Sequence, residues 1–425
     1  MDRSRGPAVR DRSFIALCAL ILVNQIGFGI ITPVLPAYAR SFGLDPGSIG
    51  LVIGIYGFAR FIANVPAGQL AERRGRRQVL VIGTAVTSVA SALIGTAGNL
   101  PQLLAYRLLA GLGAATVITG GQIMVGDLST AENRGRMMSM YQGVFLLGVS
   151  LGPTPGGILA DQFGLRAPFI AYAVFSAAAC VVSMFLIRET KPSADRARTE
   201  VREAAGGGTG GGITATATAS AVTAVSGTLR ETLAGRAFLL IGFVSFAQFV
   251  ARTGAVFTLV PLLGDEVVHL SASQIGYALT LVNILMIATV YFSGSLADRF
   301  GRKPVIAPAT VIAGAGLALF AFSTSYPLYL VSAAVWGLGA GLSGPAPAAY
   351  VADLAPADLR APVFGYFRSV ADVGYIIGPL ALGWIASRVG YEVPLLITAG
   401  TIAVAGALFW VLAPEFHQRH SASAA

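Results

Sequence analysis

Charged residues are scarce in this chain. They make up 12% of its 425 residues, whereas hydrophobic residues make up 55%. Soluble domains carry about 25% charged residues, so the composition excludes an ordinary water-soluble protein. Histidine and cysteine are scarcer still, with three and two copies and no ligand-like spacing. We therefore expect no metal site and no disulfide, and we interpret Cys18 and Cys180 as packing residues inside apolar segments.

Signatures of catalysis and of nucleotide binding are missing as well. The chain has no Gly-x-x-x-x-Gly-Lys-Ser/Thr loop to hold phosphates, which argues against transport driven by ATP. It has no Ser/His or His-rich constellation typical of hydrolysis. We predict that the protein is not an enzyme and needs no cofactor.

Long apolar runs are what the chain does contain. Twelve of them, between Phe14 and Leu412, have about the 20 residues that a helix needs to cross a bilayer core. They are too long and too evenly apolar for barrel strands, so the backbone must be hydrogen-bonded within helices. We predict an all-α membrane protein with twelve transmembrane helices in a lipid bilayer.

Basic residues concentrate in alternate loops. A cluster at 73–77 follows the second run and a pair at 134–136 follows the fourth, whereas the loops at 97–101 and 323–327 carry none. The positive-inside rule then predicts that both termini lie in the cytoplasm. No targeting presequence and no Asn-x-Ser/Thr site is found, which fits a bacterial cytoplasmic membrane. The same distribution accounts for the net charge of +9 without a nucleic-acid partner.

One pattern occurs twice. The segment GQLAERRGRR at 68–77 returns as GSLADRFGRK at 294–303, and the same offset relates Asp127 to Asp353. Two homologous six-helix bundles are therefore expected. We predict an N-terminal cytoplasmic tail at 1–13, a first bundle at 14–187, a cytoplasmic linker at 188–236, a second bundle at 237–412 and a C-terminal cytoplasmic tail at 413–425. The linker is Gly-rich and of low complexity, which favours a flexible tether; a regulatory role is the alternative.

The repeated segment resembles the loop signature between the second and third helices of the major facilitator superfamily. The resemblance implies a latch on the cytoplasmic side, in which Glu72 and Arg76 interact with Asp127. The residues of both copies of the latch are Gly68, Glu72, Arg73, Gly75, Arg76, Asp127, Gly294, Asp298, Arg299, Gly301, Arg302 and Asp353. The alternative is that these charges only set the topology. Glu72 departs from the usual Asp of the family, so the latch geometry is expected to differ.

A second motif lies in the fifth run and consists of Gly148, Gly152, Pro153, Gly156 and Gly157. It resembles the antiporter signature of the drug:proton antiporter branch of the superfamily. The resemblance implies a monomeric exporter of a small-molecule substrate with protons as its second partner and the proton gradient as its energy source. Because small residues four apart also let helices approach closely, ordinary helix packing is the alternative.

Asp372 is the only acid well inside a predicted span. Arg368 and Tyr375 share its helix face. Ionisable groups at membrane depth are functional hypotheses, so Asp372 either carries protons or forms a permanent salt bridge with Arg368. Arg107 resembles the arginine of the family's fourth-helix signature, which is implicated in proton movement. The candidates for proton coupling are thus Asp372, Arg368 and Arg107.

Arg60 and Arg252 add two further cations at membrane depth. The resulting excess of positive charge points to an anionic substrate. The candidates for a substrate cavity are Asn24, Gln25, Phe28, Tyr56, Arg60, Asn64, Tyr141, Phe145, Gln248, Arg252 and Tyr375. Packing is the alternative for each of the aromatic residues. Many relatives carry Asp at the position of Asn24, and an Asn there excludes proton coupling through that side chain.

These observations predict a secondary active transporter that exports small amphipathic molecules, such as antibiotics or natural products, by proton-coupled alternating access. One alternative is uptake or facilitated diffusion of a polar or anionic metabolite, which the cationic cavity and Asn24 favour. A second alternative is a non-transporting membrane receptor on the same scaffold, which the intact motifs in both halves disfavour.

Overall fold

The computed structural model describes residues 12–130, 133–190, 229–356 and 359–415. These ranges contain helices and turns but no strand, and twelve of their helices are long and apolar enough to cross a membrane. The predicted all-α class with twelve transmembrane helices is therefore confirmed. Most of the predicted tails and linker, at 1–11, 191–228 and 416–425, lies outside the described residues.

The twelve membrane-crossing helices, called spans, fall into two sets of six. The first half contains span 1 at Arg12–Ile31, span 2 at Pro46–Arg74, span 3 at Arg76–Thr96, span 4 at Leu100–Leu128, span 5 at Arg134–Phe163 and span 6 at Ala167–Phe185. The second half contains span 7 at Arg236–Glu266, span 8 at Ala272–Phe300, span 9 at Lys303–Ala321, span 10 at Tyr326–Leu354, span 11 at Arg360–Val389 and span 12 at Glu392–Leu412.

Three spans depart from regular α-helix. Span 5 breaks after Leu151, because Pro153 has no N–H to donate and its ring crowds the preceding turn. Span 10 breaks between Ser343 and Ala346. Span 7 is π-helical over Ala251–Leu259, and such widened turns are frequent at functional sites.

Two short helices lie between the spans. One, Leu35–Arg40, follows span 1. The other, at 229–234, precedes span 7 and falls inside the predicted flexible linker. Leu229 and Leu233 pack against the hydrophobic core, which is why this stretch is helical. This end of the predicted linker is therefore helical rather than extended.

Because the number of spans is even, span 1 begins and span 12 ends at the same face of the bundle. We call this the terminal face and the opposite one the distal face. Span 2 starts at the distal face after Asp45, whose carboxylate accepts hydrogen bonds from the Ser48 hydroxyl (2.6 Å) and the Gly47 N–H (2.9 Å). The Ser48 bond and then the Gly47 bond lower the pKa of Asp45, so this N-cap stays ionised.

Spans 2 and 11 bring the two halves into close contact near the distal face. A Cβ atom added to Gly50 would lie 2.1 Å from the carbonyl oxygen of Pro379. One added to Gly57 would lie 2.6 Å from the Tyr375 ring. Only glycine permits these approaches. In lipid, where burial of apolar surface drives helix association weakly, such van der Waals packing is a main source of affinity between helices.

Spans 5 and 8 make the matching contact on the other side of the bundle. A Cβ atom added to Gly157 would lie 2.2 Å from the carbonyl oxygen of Ala272. The Thr154 hydroxyl donates a hydrogen bond to that of Thr280 over 2.8 Å. The halves are therefore joined along two seams, both near the distal face.

The same helix faces separate toward the terminal face. Phe61 and Val65 continue the row of Gly50 and Gly57 along span 2, and they are 42% and 68% exposed. Open space also adjoins four glycines in the terminal halves of spans 2, 5, 8 and 11, namely Gly68, Gly143, Gly294 and Gly365. The protein is thus closed at the distal face and open at the terminal face. We call the level at which the halves part the apex.

Polar contacts join the halves at the distal face. Arg40 Nε lies 3.1 Å from Glu266 Oε1. The Asp161 carboxylate accepts hydrogen bonds from the N–H groups of Ala272 (3.1 Å) and Ser273 (3.0 Å) at the start of span 8. A helix N-terminus favours negative charge, so this contact is stabilising. All of these contacts must break before the distal face can open.

We expect Gly50→Ala to force spans 2 and 11 apart at the distal face, because its Cβ would overlap the Pro379 carbonyl. Spin labels at Ser41 and Val389, in a background with both native cysteines replaced by serine, report the separation. The variant should add a longer-distance population to the distribution. Gly400→Ala, at a helical site with open space, is the matched control. An unchanged distribution in Gly50→Ala would contradict the role of this seam.

Candidate functional site

Two arginines of the first half share one tyrosine ring near the apex. The guanidinium carbon of Arg107 lies 4.5 Å from the centroid of the Tyr56 ring, and that of Arg60 lies 6.0 Å from it. Arg107 is 3% exposed, and its Nε donates a hydrogen bond to the Val52 carbonyl over 3.3 Å. Phe28 stacks on the same tyrosine with ring centroids 5.8 Å apart. Three predicted cavity residues and Arg107 thus form one cluster.

This cluster holds more positive charge than its neighbours neutralise. Arg60 Nε and Arg107 Nη1 are buried, and neither has a hydrogen-bond partner among the described residues. Neither arginine makes a salt bridge to any residue that the structure describes. A buried cation without a counter-charge costs several kcal/mol, so the site favours a negative group nearby.

The second half contributes Tyr375 and Asp372 to this region. The guanidinium carbon of Arg60 lies 5.3 Å from the Tyr375 ring centroid. Asp372 is half-buried and close enough to Arg60 to interact with it electrostatically. It lies one helical turn beyond Ile376, which still contacts Gly57 of span 2. Asp372 is therefore at the apex, where the opening from the terminal face ends.

Arg368 does not pair with Asp372 in this state. Arg368 is exposed, and the described residues include no ion pair between the two side chains. Of the two alternatives for Asp372, a permanent salt bridge with Arg368 is absent here. Arg60 of the other half interacts with Asp372 electrostatically instead.

A cavity of about 260 Å³ lies in the second half, beside the π-helical part of span 7. Arg252, Gln248 and Asn283 line it, together with apolar residues that include Phe249 and Trp336. The structure thus places the predicted residues Gln248 and Arg252 on a cavity wall. Asn283 was not among the predicted cavity candidates, because nothing in the sequence tells which face of span 8 points inward.

A larger depression of about 780 Å³ lies on the distal half of spans 2 and 11. Leu51, Ile377 and Trp384 line it, and Asp45 at its rim is the only acid or base among the lining residues. It is open, apolar and away from the buried arginines. We therefore place the candidate site at the apex, because polar groups that converge in a mostly apolar cavity are typical of small-molecule sites.

Three predicted cavity residues lie in the core of the first half instead. Asn24 and Gln25 are 1% and 4% exposed. Asn24 Oδ1 accepts a hydrogen bond from Ser176 over 3.1 Å, and its Nδ2 donates one to Gln25 over 3.3 Å. Tyr141 is fully buried against Gly121. Helix packing encloses all three in this state, and their role as cavity residues stays a prediction.

The two remaining candidates have less distinct positions. Phe145 packs against the hydrophobic cluster that contains Tyr141. Asn64 is half-buried one helical turn from Arg60, toward the terminal face. Neither lines the cavity beside Arg252.

The first copy of the repeated loop element forms an ion network centred on Arg76. Arg76 Nη2 lies 2.8 Å from Glu72 Oε1, and its Nε lies 2.7 Å from Asp127 Oδ2. Its Nη1 also donates a hydrogen bond to the Ala71 carbonyl over 3.0 Å. Arg73 is exposed at the end of span 2. In this open state the network ties spans 2, 3 and 4 of one half together.

The second copy is described in part. Arg302 Nε lies 3.2 Å from Asp353 Oδ2, the counterpart of the Arg76–Asp127 pair. The guanidinium carbon of Arg299 lies 5.3 Å from the Phe300 ring centroid. The side chain of Asp298 lies outside the described residues.

A glycine forms the turn in each copy. Gly75 has φ 99° and Gly301 has φ 100°, values that side chains disfavour. A Cβ atom at these positions would lie 2.4 Å from the carboxylate of Glu189 or 2.9 Å from that of Glu415. Both glycines are therefore fixed by conformation and by space.

Glu189 and Glu415 are helix-capping positions that the sequence interpretation missed. The Glu189 carboxylate accepts a hydrogen bond from the Arg76 N–H over 2.8 Å, and Glu415 accepts one from the Arg302 N–H over 3.2 Å. Glu189 thus stabilises the N-terminus of span 3, and Glu415 stabilises that of span 9. They were assigned to the flexible linker and the C-terminal tail. Their separation equals that of Gly75 from Gly301, and this offset could have revealed them.

The glycines of the motif in span 5 are packed against two other spans. A Cβ atom added to Gly152 would lie 2.4 Å from Gly29 of span 1, and one added to Gly156 would lie 2.0 Å from the Ile30 carbonyl oxygen. Gly148 approaches span 1 in the same way, whereas Gly157 faces span 8. Pro153 lies at the break in span 5. Close helix packing, the alternative to an antiporter role, is thus observed. It gives no direction of transport.

Two helical bundles with a charged site at their junction, open to one face only, define the architecture of an alternating-access membrane transporter. The Major Facilitator Superfamily profile matches residues 17–272 and 241–425. The chain belongs to the Major Facilitator Superfamily, a family of transporters rather than enzymes.

Known relatives support the resemblance to the drug:proton antiporter branch. Multidrug resistance protein 2 of Bacillus subtilis (strain 168) is 25% identical over 399 residues, which cover 92% of this chain and 93% of that protein. Tetracycline resistance protein, class C, of Escherichia coli is 25% identical over 379 residues, or 87% and 88% of the two chains.

A solved structure supports the fold alone. The crystal structure of a D-xylose-proton symporter has a TM-score of 0.73 to this chain at 15% identity, covering 95% of this chain and 98% of that one. That protein is a symporter, and a likeness of fold carries no information on the direction of transport in this chain.

We expect Asp127→Ala to destabilise the protein more than Glu72→Ala does. The Asp127 side chain is 22% exposed and that of Glu72 is 65% exposed, while Arg76 between them is buried. Losing a partly buried partner of a charged group costs about 1–3 kcal/mol, whereas an exposed ion pair contributes about 0–1 kcal/mol. Thermal unfolding of both variants in detergent checks the order. Equal losses would show that Asp127 does not anchor Arg76.

Proposed function

We propose that the protein exports small amphipathic molecules in exchange for protons, by alternating access. The observation that carries this proposal is the position of Asp372 at the closed end of an opening that only the terminal face reaches. A site that is open to one side and holds one acid beside a cation is suited to exchange a proton against a ligand. The relatives named for multidrug and tetracycline resistance support export as the direction.

The proposal makes the terminal face the cytoplasmic one. The basic clusters at 73–77 and 299–303 lie at the terminal ends of spans 2 and 8, and the positive-inside rule favours such clusters in the cytoplasm. The described state is then open to the cytoplasm and ready to accept a molecule for export. Opening to the outside requires release of the distal contacts of Arg40 and Asp161.

Asp372 is the acid that carries the proton in this proposal, and Arg60 of the other half is close enough to interact with it electrostatically. Loss of the charge on Asp372 removes an attraction between spans 2 and 11, which favours rearrangement of their seam. The proton step is in this way coupled to the conformation of the halves. The protein acts as a monomer without a cofactor, and the proton gradient supplies the energy.

A second candidate function is uptake or facilitated diffusion of an anionic metabolite. The unpaired nitrogen atoms of Arg60 and Arg107 favour an anion in the site, whatever the direction of movement. A facilitator would need no proton carrier, so proton flux separates the two candidates.

We expect substrate-driven proton movement in proteoliposomes that contain a pH dye, and its loss in Asp372→Asn. The asparagine cannot carry a proton, although it keeps the shape of the side chain. Tetracycline and a panel of amphipathic anions and cations serve as substrates. Glu392→Gln removes an acidic charge at the exposed distal start of span 12 and is the control.

Three results of that experiment are informative. Proton flux opposite to the substrate supports antiport. A substrate that crosses without any proton flux contradicts the coupling and favours a facilitator. Coupling that survives in Asp372→Asn rules out Asp372 as the proton carrier.

A further inference from the structure

The cavity beside span 7 is enclosed by apolar side chains but contains strong hydrogen-bond donors. Phe249, Trp336 and Met286 contribute to its apolar wall, and Leu146 of span 5 reaches it from the first half. Its volume of about 260 Å³ is enough for a compact molecule of about two fused rings. It lies on the seam of spans 5 and 8, at the level where these spans part. Its contents would therefore contact both halves.

Arg252 is the only charged residue that lines this cavity. Its described neighbour is the Phe257 ring, whose centroid lies 5.6 Å from the guanidinium carbon, and no acid within the described ranges forms an ion pair with it. Gln248 is held by hydrogen bonds from its amide nitrogen to Thr310 and Ser343. The guanidinium group is thus placed in an apolar cavity without a counter-charge.

The first half adds to the positive field at the apex. Arg60 and Arg107 also lack acidic partners in salt-bridge contact, and each has a buried nitrogen without a hydrogen-bond partner among the described residues. Among the described residues, Asp372 is the one acid that interacts electrostatically with any of them, so three buried or half-buried cations stand against one acid. Electrostatic fields are strong in such low-dielectric surroundings. A bound cation would be repelled, whereas a bound anion would supply the missing charge.

We propose that the cavity binds a compact organic anion, in which one carboxylate, sulfonate or phenolate group is attached to an aromatic body. The acidic group pairs with Arg252, whose planar fork of donors fits two oxygen atoms. The aromatic body lies against Phe249 and Trp336. This inference rests on the proposed function, because it takes the cavity as the place where the transported molecule binds.

A consequence for transport follows from the charges. Export of an anion and entry of a proton both transfer net positive charge into the cell. A membrane potential that is negative inside then drives both movements, so transport should accelerate as this potential grows.

Ligand-induced stabilisation of the purified protein tests the proposal without any gradient. The probes are 2-naphthoate and 2-naphthylmethylammonium, which share one ring system and carry opposite charges. A ligand that binds only the folded protein raises the unfolding temperature with its concentration. We expect saturable stabilisation by 2-naphthoate and none by the amine. In Arg252→Gln the apparent Kd for 2-naphthoate should rise at least tenfold, and Arg252→Lys should restore part of the affinity.

Arg388→Gln is the matched control, because it removes the same charge from an exposed site at the distal end of span 11. It should bind 2-naphthoate as the wild type does. Equal stabilisation by the two probes, no saturable effect of 2-naphthoate at any soluble concentration, or undiminished binding in Arg252→Gln would each overturn the proposal. The wild-type comparison of acid and amine decides the matter even if Arg252→Gln does not fold.

The result is separable from that of the proton-flux experiment. Selective binding of 2-naphthoate without proton coupling in proteoliposomes would reject the antiport function and keep the anion site. Proton coupling with cations only, and no binding of 2-naphthoate, would keep the transporter function and reject the anion site.

Discussion

Close contact between helices, at Gly50 and Gly57 on one seam and at Gly157 on the other, determines where this protein is closed and where it is open. The approach is possible because these residues have no side chain, and it ends where Phe61 and Val65 follow on the same helix face. Large side chains keep the two helix backbones farther apart than glycine does, so the close contact ends at these residues. The seam of spans 2 and 11 therefore ends about halfway along span 2, and the opening from the terminal face begins there.

The charged side chains are gathered at the point where the seams end. Arg60 and Asp372 come from opposite halves, and each lies where its helix stops touching the other. A charge at this depth can exchange with a ligand or a proton only if one side admits water, and the terminal opening provides that access. Movement of the seams would change both the access to Asp372 and its distance from Arg60. The geometry thus links the conformation of the halves to the charge state of the site.

Several features could be predicted from the sequence because they depend on local pattern. Run lengths and hydropathy predicted the twelve helices, and the resemblance of the repeated loop element to the superfamily signature implied the pairing of Arg76 with Asp127. Other features could not be predicted from one chain. The sequence pattern did not show that Asn24 and Tyr141 are enclosed in a bundle. Their polar atoms make them resemble cavity residues, but rotation of each helix about its own axis decides which way they face.

Composition and periodicity by themselves determined that the chain is an all-helical membrane protein built of two related halves, because a bilayer leaves the backbone no other way to satisfy its hydrogen bonds. Only the tertiary structure decided that Asp372 faces Arg60 rather than Arg368, that Arg252 lines an apolar cavity, and that Glu189 caps span 3. These facts depend on contacts between residues far apart in the chain. Such contacts are set by how the helices pack around their glycines, and no local pattern in the sequence encodes them.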